Sequence, residues 1–431
     1  MWAYPNDPGL PVLPQVTYRD AVAELLTTLG MPVTDPVLTV AAYRPGKRAV
    51  VRVDAPERTL FLKIVRPHRV APIVKSHEQF VAAGLPVPRV LSSRGDGLLV
   101  LERIRGVPAG SRILDIADDP RFVASLAALS GRVATVPMTQ QARADAMDHA
   151  DWHRRTLIAA LPQDADEIDR LYDAIGRRSI GWTSATKQVV HGDLHLEQVF
   201  VDEDEPWRIS GLLDIDTAGW GFPVRDIGAV VAHLVVTGLW HRSRGDADRG
   251  AAAERLADAI ARDWVARNPR EADRIGPAIG AQLLAHAGGQ ATTGSANGIQ
   301  TAEQLLAATR AALAEAAPVL PAAGLVRPRS APASDGSRPP SRKRRICAEH
   351  WRGTVALAGW SACGSGICRF RGVVGVGTRD LSRRRGGRDR RRTGGAWRAR
   401  TVPPGRHTRH SRRRDARGRR GVASVGGRGV N

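Results

Sequence analysis

Between residues 36 and 65 the chain holds three short apolar runs, PVLTVAAY (36–43), RAVVRV (48–53) and TLFLKIV (59–65). RPGK and DAPE separate them, and their Pro, Gly and Asp residues suit turns, so the pattern predicts three strands. In RVAPIVKSHEQFVAAG (69–84), Val70, Val74, His77 and Val81 lie near helical spacing, with Gly84 and Pro86 as a stop. Two more strands, VPRVLSS (87–93) and GLLVLERI (97–104), flank a Gly-Asp-Gly turn. Five strands and one helix in about 75 residues predict a small antiparallel sheet with a helix packed on it.

From Asp118 the pattern changes to Ala- and Leu-rich helical periodicity over 120–134, 151–161, 164–177, 227–240, 251–267, 270–290 and 301–317. Only HGDLHLEQVFVD (191–202), with its flanking apolar pairs, and ISGLLDID (209–216) interrupt it as strand-like segments. The layout is α+β: a lead-in segment (1–34), a sheet lobe (35–105), a helical lobe (106–324) and a tail (325–431). No internal repeat is present.

Charge changes the picture once it is divided along the chain. The net charge is +21, yet 29 of the 64 Lys and Arg and only 5 of the 43 Asp and Glu lie from Arg327 onward. The residues before it hold 35 basic and 38 acidic side chains, a net of −3, so the basic pI describes the tail alone. The tail is rich in Arg, Gly, Ser and Pro and too poor in apolar residues to offset ordering entropy, so disorder is expected there. Two readings of it stand: an arginine-rich segment that binds nucleic acid or anionic membrane without sequence specificity, or an extension with no function. Cys347, Cys363 and Cys368 all lie in it, so the body has neither a disulfide nor a thiolate metal site, in keeping with a reducing compartment. The start has no signal-peptide pattern, and the apolar run 227–240 is too short to span a bilayer; a cytoplasmic protein is expected. The sequence carries no signal of oligomeric state.

The polar residues of the interrupting segments have a spacing that points to chemistry. Asp193 is followed five residues later by the amide of Gln198, and sixteen after that by Asp214 at the end of an apolar strand. Twelve further on, Asp226 opens a helix, placed to cap backbone N–H groups. Gln198 and Asp214 offer hard oxygen ligands suited to Mg2+, which leaves Asp193 to accept a proton from an attacking hydroxyl. That division of labour suits phosphoryl transfer. A positive partner comes from the sheet lobe: one of only five lysines, Lys63, interrupts the apolar strand TLFLKIV and needs a counter-charge, for which Glu78 on the following helix is the candidate. A lysine snorkelling from a strand edge is the plainer alternative.

The stretch VVHGDLHLEQVFVD…GLLDIDTAGWGFPVRDIG resembles the motif of the aminoglycoside phosphotransferase and choline kinase-like group. The group has a protein-kinase-like two-lobe fold, and the layout matches it over about residues 35–320. The resemblance implies ATP and Mg2+ as cofactors and a small-molecule hydroxyl as acceptor. It implies Asp193 as the catalytic aspartate and Asp214 with Gln198 as Mg2+ ligands. Lys63 would contact the ATP phosphates with Glu78 holding it, and Glu102, Arg103 and Ile104 would form the adenine-contacting hinge. His191 and Asp226 would brace the loop. The chain departs from protein kinases in lacking a G-x-G-x-x-G loop before Lys63, where YRPGKR stands instead. It departs from most of the group in carrying Gln198 where asparagine is usual, although maltokinase-like members share the pattern H-G-D-x-H-L-x-Q. A catalytically inactive nucleotide-binding scaffold is the alternative this substitution raises. For the acceptor, Asp145, Asp148 and Asp151 would suit ammonium groups or be a solvated helix face, and Trp152, Trp182, Trp207, Trp220, Trp240 and Trp264 would suit a sugar or simply pack.

Overall fold

The computed structural model describes residues 4–180, 182 and 187–314, which fall within one compact unit. The tail 325–431, with its expected disorder and its three cysteines, lies outside the described residues.

Strands β1 (Val37–Arg44), β2 (Arg48–Asp54), β3 (Thr59–Val65), β4 (Val90–Arg94) and β5 (Leu98–Glu102) form an antiparallel sheet in the order β1-β2-β3-β5-β4. Side chains alternate between faces along a strand, so Leu60, Leu62 and Ile64 of β3 share one face and Phe61, Lys63 and Val65 the other. The lead-in covers the first face. Its turn Leu13–Val16 and helix α1 (Arg19–Thr28) bury Leu13, Val16, Val22 and Leu26 with Val51, Leu62 and Ile64. Expected only to precede the sheet, the lead-in is one of its two cover layers. Val22, Leu25 and Leu26 carry the helical spacing that signals α1, next to a proline-rich start that obscures it.

The second face is covered by α2 (Val70–Ala82), where Val70 and Ile73 meet Val65, Leu99 and Leu101. Gly84 ends this helix with φ +72: its N–H bonds the Val81 carbonyl, and the Leu85 N–H bonds that of Phe80. A side chain there would be strained, which is why glycine follows the helix.

Beyond Glu102 the chain crosses into the helical lobe. Its elements are β6 (Val107–Pro108), α3 (Ile113–Ile116), α4 (Pro120–Ala134), α5 (Ala150–Ala160) and α6 (Ala165–Ser179). Then come β7 (Gln188–Val190), β8 (Val199–Val201), β9 (Ile209–Leu212) and β10 (Gly219–Gly221). Helices α7 (Pro223–Ser243), α8 (Ala247–Arg267), α9 (Ile275–Ala291) and α10 (Ala296–Ala314) complete it. All seven helices expected between 120 and 317 are present. The one expected from 270 begins at Ile275, after a 3-10 segment Pro269–Arg274. Two small sheets, β10-β7 and β6-β8-β9, stand among the helices and carry the polar loop. Buried side chains of α4, α7, α8, α9 and α10, among them Leu126, Val230, Leu256, Leu284 and Leu305, form one core beneath that loop. Among the described residues no helix is long and apolar enough to cross a membrane.

Leu26 is fully buried between α1 and the sheet. Leu26→Ala is expected to lower stability by about 2–5 kcal/mol in urea unfolding, whereas Thr27→Ala on the exposed side of α1 is expected to stay within about 0.5 kcal/mol.

Candidate active site

The segment 191–198 joins β7 to β8 and is held from two directions. Asp226, in the first turn of α7, accepts the backbone N–H groups of His191 (2.6 Å) and Gly192 (2.8 Å). The amides it caps thus belong to the loop. Burial raises its carboxyl above the usual range, which the two N–H donors and His191 oppose. His191 Nε2 lies 2.8 Å from the Leu213 carbonyl, and the Thr217 hydroxyl donates to the His191 carbonyl at 2.8 Å. Gly192 has φ +82, and a Cβ there would stand 2.5 Å from the Thr217 carbonyl oxygen, so both backbone angle and space require glycine.

Asp193 follows this brace and opens onto a cavity of about 290 Å³. Its carboxyl is pushed up to about 6, chiefly by burial, with the charge of Asp214 adding and Arg143 and His191 opposing. Arg143 Nη1 lies 3.7 Å from its Oδ2.

Asp214, just after β9, has left-handed backbone angles (φ 56, ψ 39). Arg48 Nη1 reaches its two oxygens at 3.0 and 2.9 Å, and Lys63 Nζ approaches at 3.5 Å. Burial opposes ionisation here, yet Lys63 and Arg48 hold the carboxyl well below the usual range. Lys63 is buried, and its closest carboxylate is Asp216 Oδ2 at 2.5 Å. Glu78, the expected partner of Lys63, is exposed on α2. The α2 positions turned inward are 70, 73, 76, 77 and 80, which places His77 there instead. Its Nδ1 is 2.7 Å from the Pro88 carbonyl, and burial, then the charge of Lys63, lowers its ring pKa.

Gln198 is 1% exposed, and neither its amide oxygen nor its amide nitrogen has a hydrogen-bond partner. Its backbone carbonyl accepts the Leu213 N–H at 2.8 Å, which ties it next to Asp214. Among the described residues no three His, Cys, Asp or Glu side chains gather as metal ligands. Glu102 and Arg103 are exposed at the crossing between lobes, while Ile104 is half-buried. Gly211 of β9 makes room for Ile104, whose Cγ2 would lie 2.1 Å from a Cβ there.

Several participants had no distinguishing signal in the sequence. Arg48 is one of 59 arginines, marked only by following the RPGK turn. That turn is braced by Asp7 of the lead-in, whose buried carboxylate accepts the Gly46 N–H (2.7 Å), the Tyr43 hydroxyl (3.0 Å) and the Gly9 N–H (2.9 Å). Lys47 within the turn has a lowered pKa, foremost from Arg44, then burial, Arg143 and Arg66. These cations crowd one another, and such a cluster favours an anion. Of the tryptophans weighed for a sugar site, Trp220 lines the cavity, while Trp152 and Trp240 are exposed elsewhere and Trp182 and Trp264 are buried. Asp145 and Asp148 line the cavity; Asp151 is exposed outside that lining.

A profile of the phosphotransferase enzyme family matches residues 41–269. No curated protein sequence matches the chain. Among solved structures it is similar to a thermostable mutant of aminoglycoside phosphotransferase APH(4)-Ia in ternary complex with AMP-PNP and hygromycin B. Identity is 16%, with 69% of this chain and 98% of that one covered, at a TM-score of 0.47. It is also similar to macrolide 2'-phosphotransferase type I, at 19% identity, 67% and 96% coverage and a TM-score of 0.42. A third, aminoglycoside phosphotransferase APH(3'')-Id from Streptomyces rimosus, gives 18% identity, 61% and 99% coverage and a TM-score of 0.36.

Gly192→Ala is expected to destabilise the protein by about 1–3 kcal/mol, read as a lowered midpoint in denaturant. An unchanged midpoint would show that the loop tolerates a side chain against Thr217.

Proposed function

Because the chain belongs to the phosphotransferase enzyme family, we propose that it moves the γ-phosphate of ATP, with Mg2+, to a hydroxyl of a small polar acceptor, aminoglycoside-like or sugar-like. One observation carries this reading: Asp193, with its raised carboxyl, lines a cavity, and Asp214, whose charge acts on it, is ion-paired to Arg48 and Lys63.

Asp193 accepts the proton of the attacking hydroxyl. A carboxyl near 6 is ionised at neutral pH yet far more basic than an ordinary aspartate, which suits a general base. His191 and Asp226 position it through the loop backbone. Lys63 and Arg48 meet the nucleotide phosphates, with Asp216, in place of Glu78, holding the lysine. The Arg44–Lys47 turn, braced by Asp7, takes the place of a glycine-rich loop, and its cations add to the positive field over the phosphates. The backbone of Glu102, Arg103 and Ile104 borders the adenine.

Gln198 and Asp214 fit a hard divalent cation: a carboxylate that stays ionised, and a buried amide oxygen with no other partner. Bound there, Mg2+ would neutralise charge on the phosphate oxygens. The extra methylene of glutamine relative to asparagine leaves the same carbonyl donor on a longer arm.

Asp193→Asn is expected to lower turnover by about 10²–10⁴-fold while the affinity for an ATP analogue changes little; full activity in that variant would sink the assignment. The basic form of Asp193 is the active one, so kcat/KM is expected to fall as pH drops through about 6. Arg143 opposes the upward shift, so Arg143→Ala is expected to move that acid limb to higher pH in a pH–rate profile.

A further inference from the structure

Resting on the reading of the cavity beside Asp193 as the acceptor site, the geometry points to Arg225 as the residue that fixes the acceptor's charge class. It makes the cavity a site for an uncharged polyhydroxylated molecule and closes it to polycations.

Arg225 lies in the first turn of α7, and its guanidinium spans the two aspartates that would otherwise meet ammonium groups. Nη1 lies 2.9 and 3.0 Å from the two oxygens of Asp148 and 3.3 Å from Asp145 Oδ1. The guanidinium carbon sits 5.0 Å from the Phe222 ring centroid and 5.8 Å from that of Trp182, so aromatic faces fix it in place. Local backbone bonds take up more of both carboxylates. Asp145 Oδ1 accepts the Met147 and Asp148 N–H groups, and Asp148 Oδ2 accepts the Asp145 N–H. Burial raises the Asp145 carboxyl, against the opposing charge of Arg225.

The other two carboxylates of the wall are engaged as well. Asp226 is spent on the loop amides, and Asp193 is the group that meets the hydroxyl. Among the described lining residues no carboxylate is left unengaged for an ammonium group, and Arg143 and Arg225 already stand against Asp193, Asp145 and Asp148. A polycation entering there would have to displace these cations from their carboxylates. The rest of the wall suits hydroxyls. Burial lowers the pKa of His153, His233 and His286, the last to about 4, so these imidazoles are neutral donors and acceptors at pH 7. Gln282 adds an amide. Trp220, 40% exposed with its indole N–H donated to the Met138 carbonyl, offers an aromatic surface to the apolar side of a sugar ring.

The test uses the full chain with ATP and five probes: trehalose, maltose and myo-inositol as neutral polyols, neomycin as a polycation, and glucose 6-phosphate as an anion. Binding is read by calorimetry and transfer by phosphorylated product. At least one neutral polyol is expected to bind, and to be phosphorylated, with neomycin at least about tenfold weaker. Arg225→Met is expected to shift the neomycin-to-polyol affinity ratio by about tenfold or more toward neomycin. The variant Arg225→Met/Asp145→Asn/Asp148→Asn, which removes the freed charges as well, is expected to lose that gain, so a mere loss of packing cannot imitate it. The inference is overturned if neomycin or glucose 6-phosphate binds the unaltered chain best, if no neutral probe binds, or if the ratio is unmoved in Arg225→Met. Polyol phosphorylation that persists in Asp193→Asn would defeat the underlying reading of the site. Asp193-dependent transfer with unmoved selectivity defeats only the role of Arg225.

Discussion

The two lobes meet in an ion-pair cluster around two half-buried carboxylates, Asp214 and Asp216. Arg48 of β2 and Lys63 of β3 come from the sheet, Asp214 from the turn after β9, and the ion pairs between them cross the junction. Burying such charges costs several kcal/mol per ion, so the cluster is a poor source of net stability and a good source of position: any displacement of one lobe strands a charge. The rest of the site is referred to it. Leu213, next to Asp214, is gripped by the His191 ring and by the Gln198 carbonyl, and Thr217 returns to the His191 carbonyl. Asp226 then holds the His191 and Gly192 amides from below. Asp193 is therefore located by a continuous series of bonds that begins in the sheet lobe.

On the proposed reading, the same logic explains how the chain manages without a glycine-rich loop. A flexible loop over phosphates must be ordered by its ligand, at an entropic cost. Here the turn between β1 and β2 is ordered beforehand, because Asp7 accepts from both Gly46 and Tyr43 across it. The lead-in therefore has two tasks: its Leu and Val residues close one face of the sheet, and its aspartate fixes the turn.

Periodicity made most of the fold legible. The five strands of the large sheet and the seven long helices of the second lobe follow from apolar spacing: the helices turn apolar side chains into one core, and the sheet buries side chains on both of its faces. Lys63 stood out as a lysine inside an apolar strand, and Asp193, Asp214 and Asp226 as carboxylates at fixed separations. The pairings were not legible, because they depend on the rotation of one element against another. Glu78 and His77 are adjacent in sequence, but α2 presents only the histidine to the sheet. Arg225 meets Asp145 and Asp148 across 80 and 77 positions, and Arg48 meets Asp214 across 166, with nothing in the local pattern to mark either arginine among so many.

These pairings divide the charge around Asp193. The residues before the tail carry a net charge of only −3, so any strong potential in the body is local. On the side of the lobe junction, Arg44, Lys47, Arg48, Lys63, Arg66 and Arg143 gather around the turn and Asp214, and their mutual repulsion is relieved by an anion. On the cavity side, Arg225 cancels the carboxylates and burial discharges the imidazoles, leaving hydrogen-bonding groups with little net field. Asp193 sits at the boundary. Its carboxyl is raised because burial outweighs the cations nearby. On the proposed reading, the cationic turn takes the phosphate donor by charge, and the cavity takes an uncharged hydroxyl acceptor by hydrogen bonding and shape.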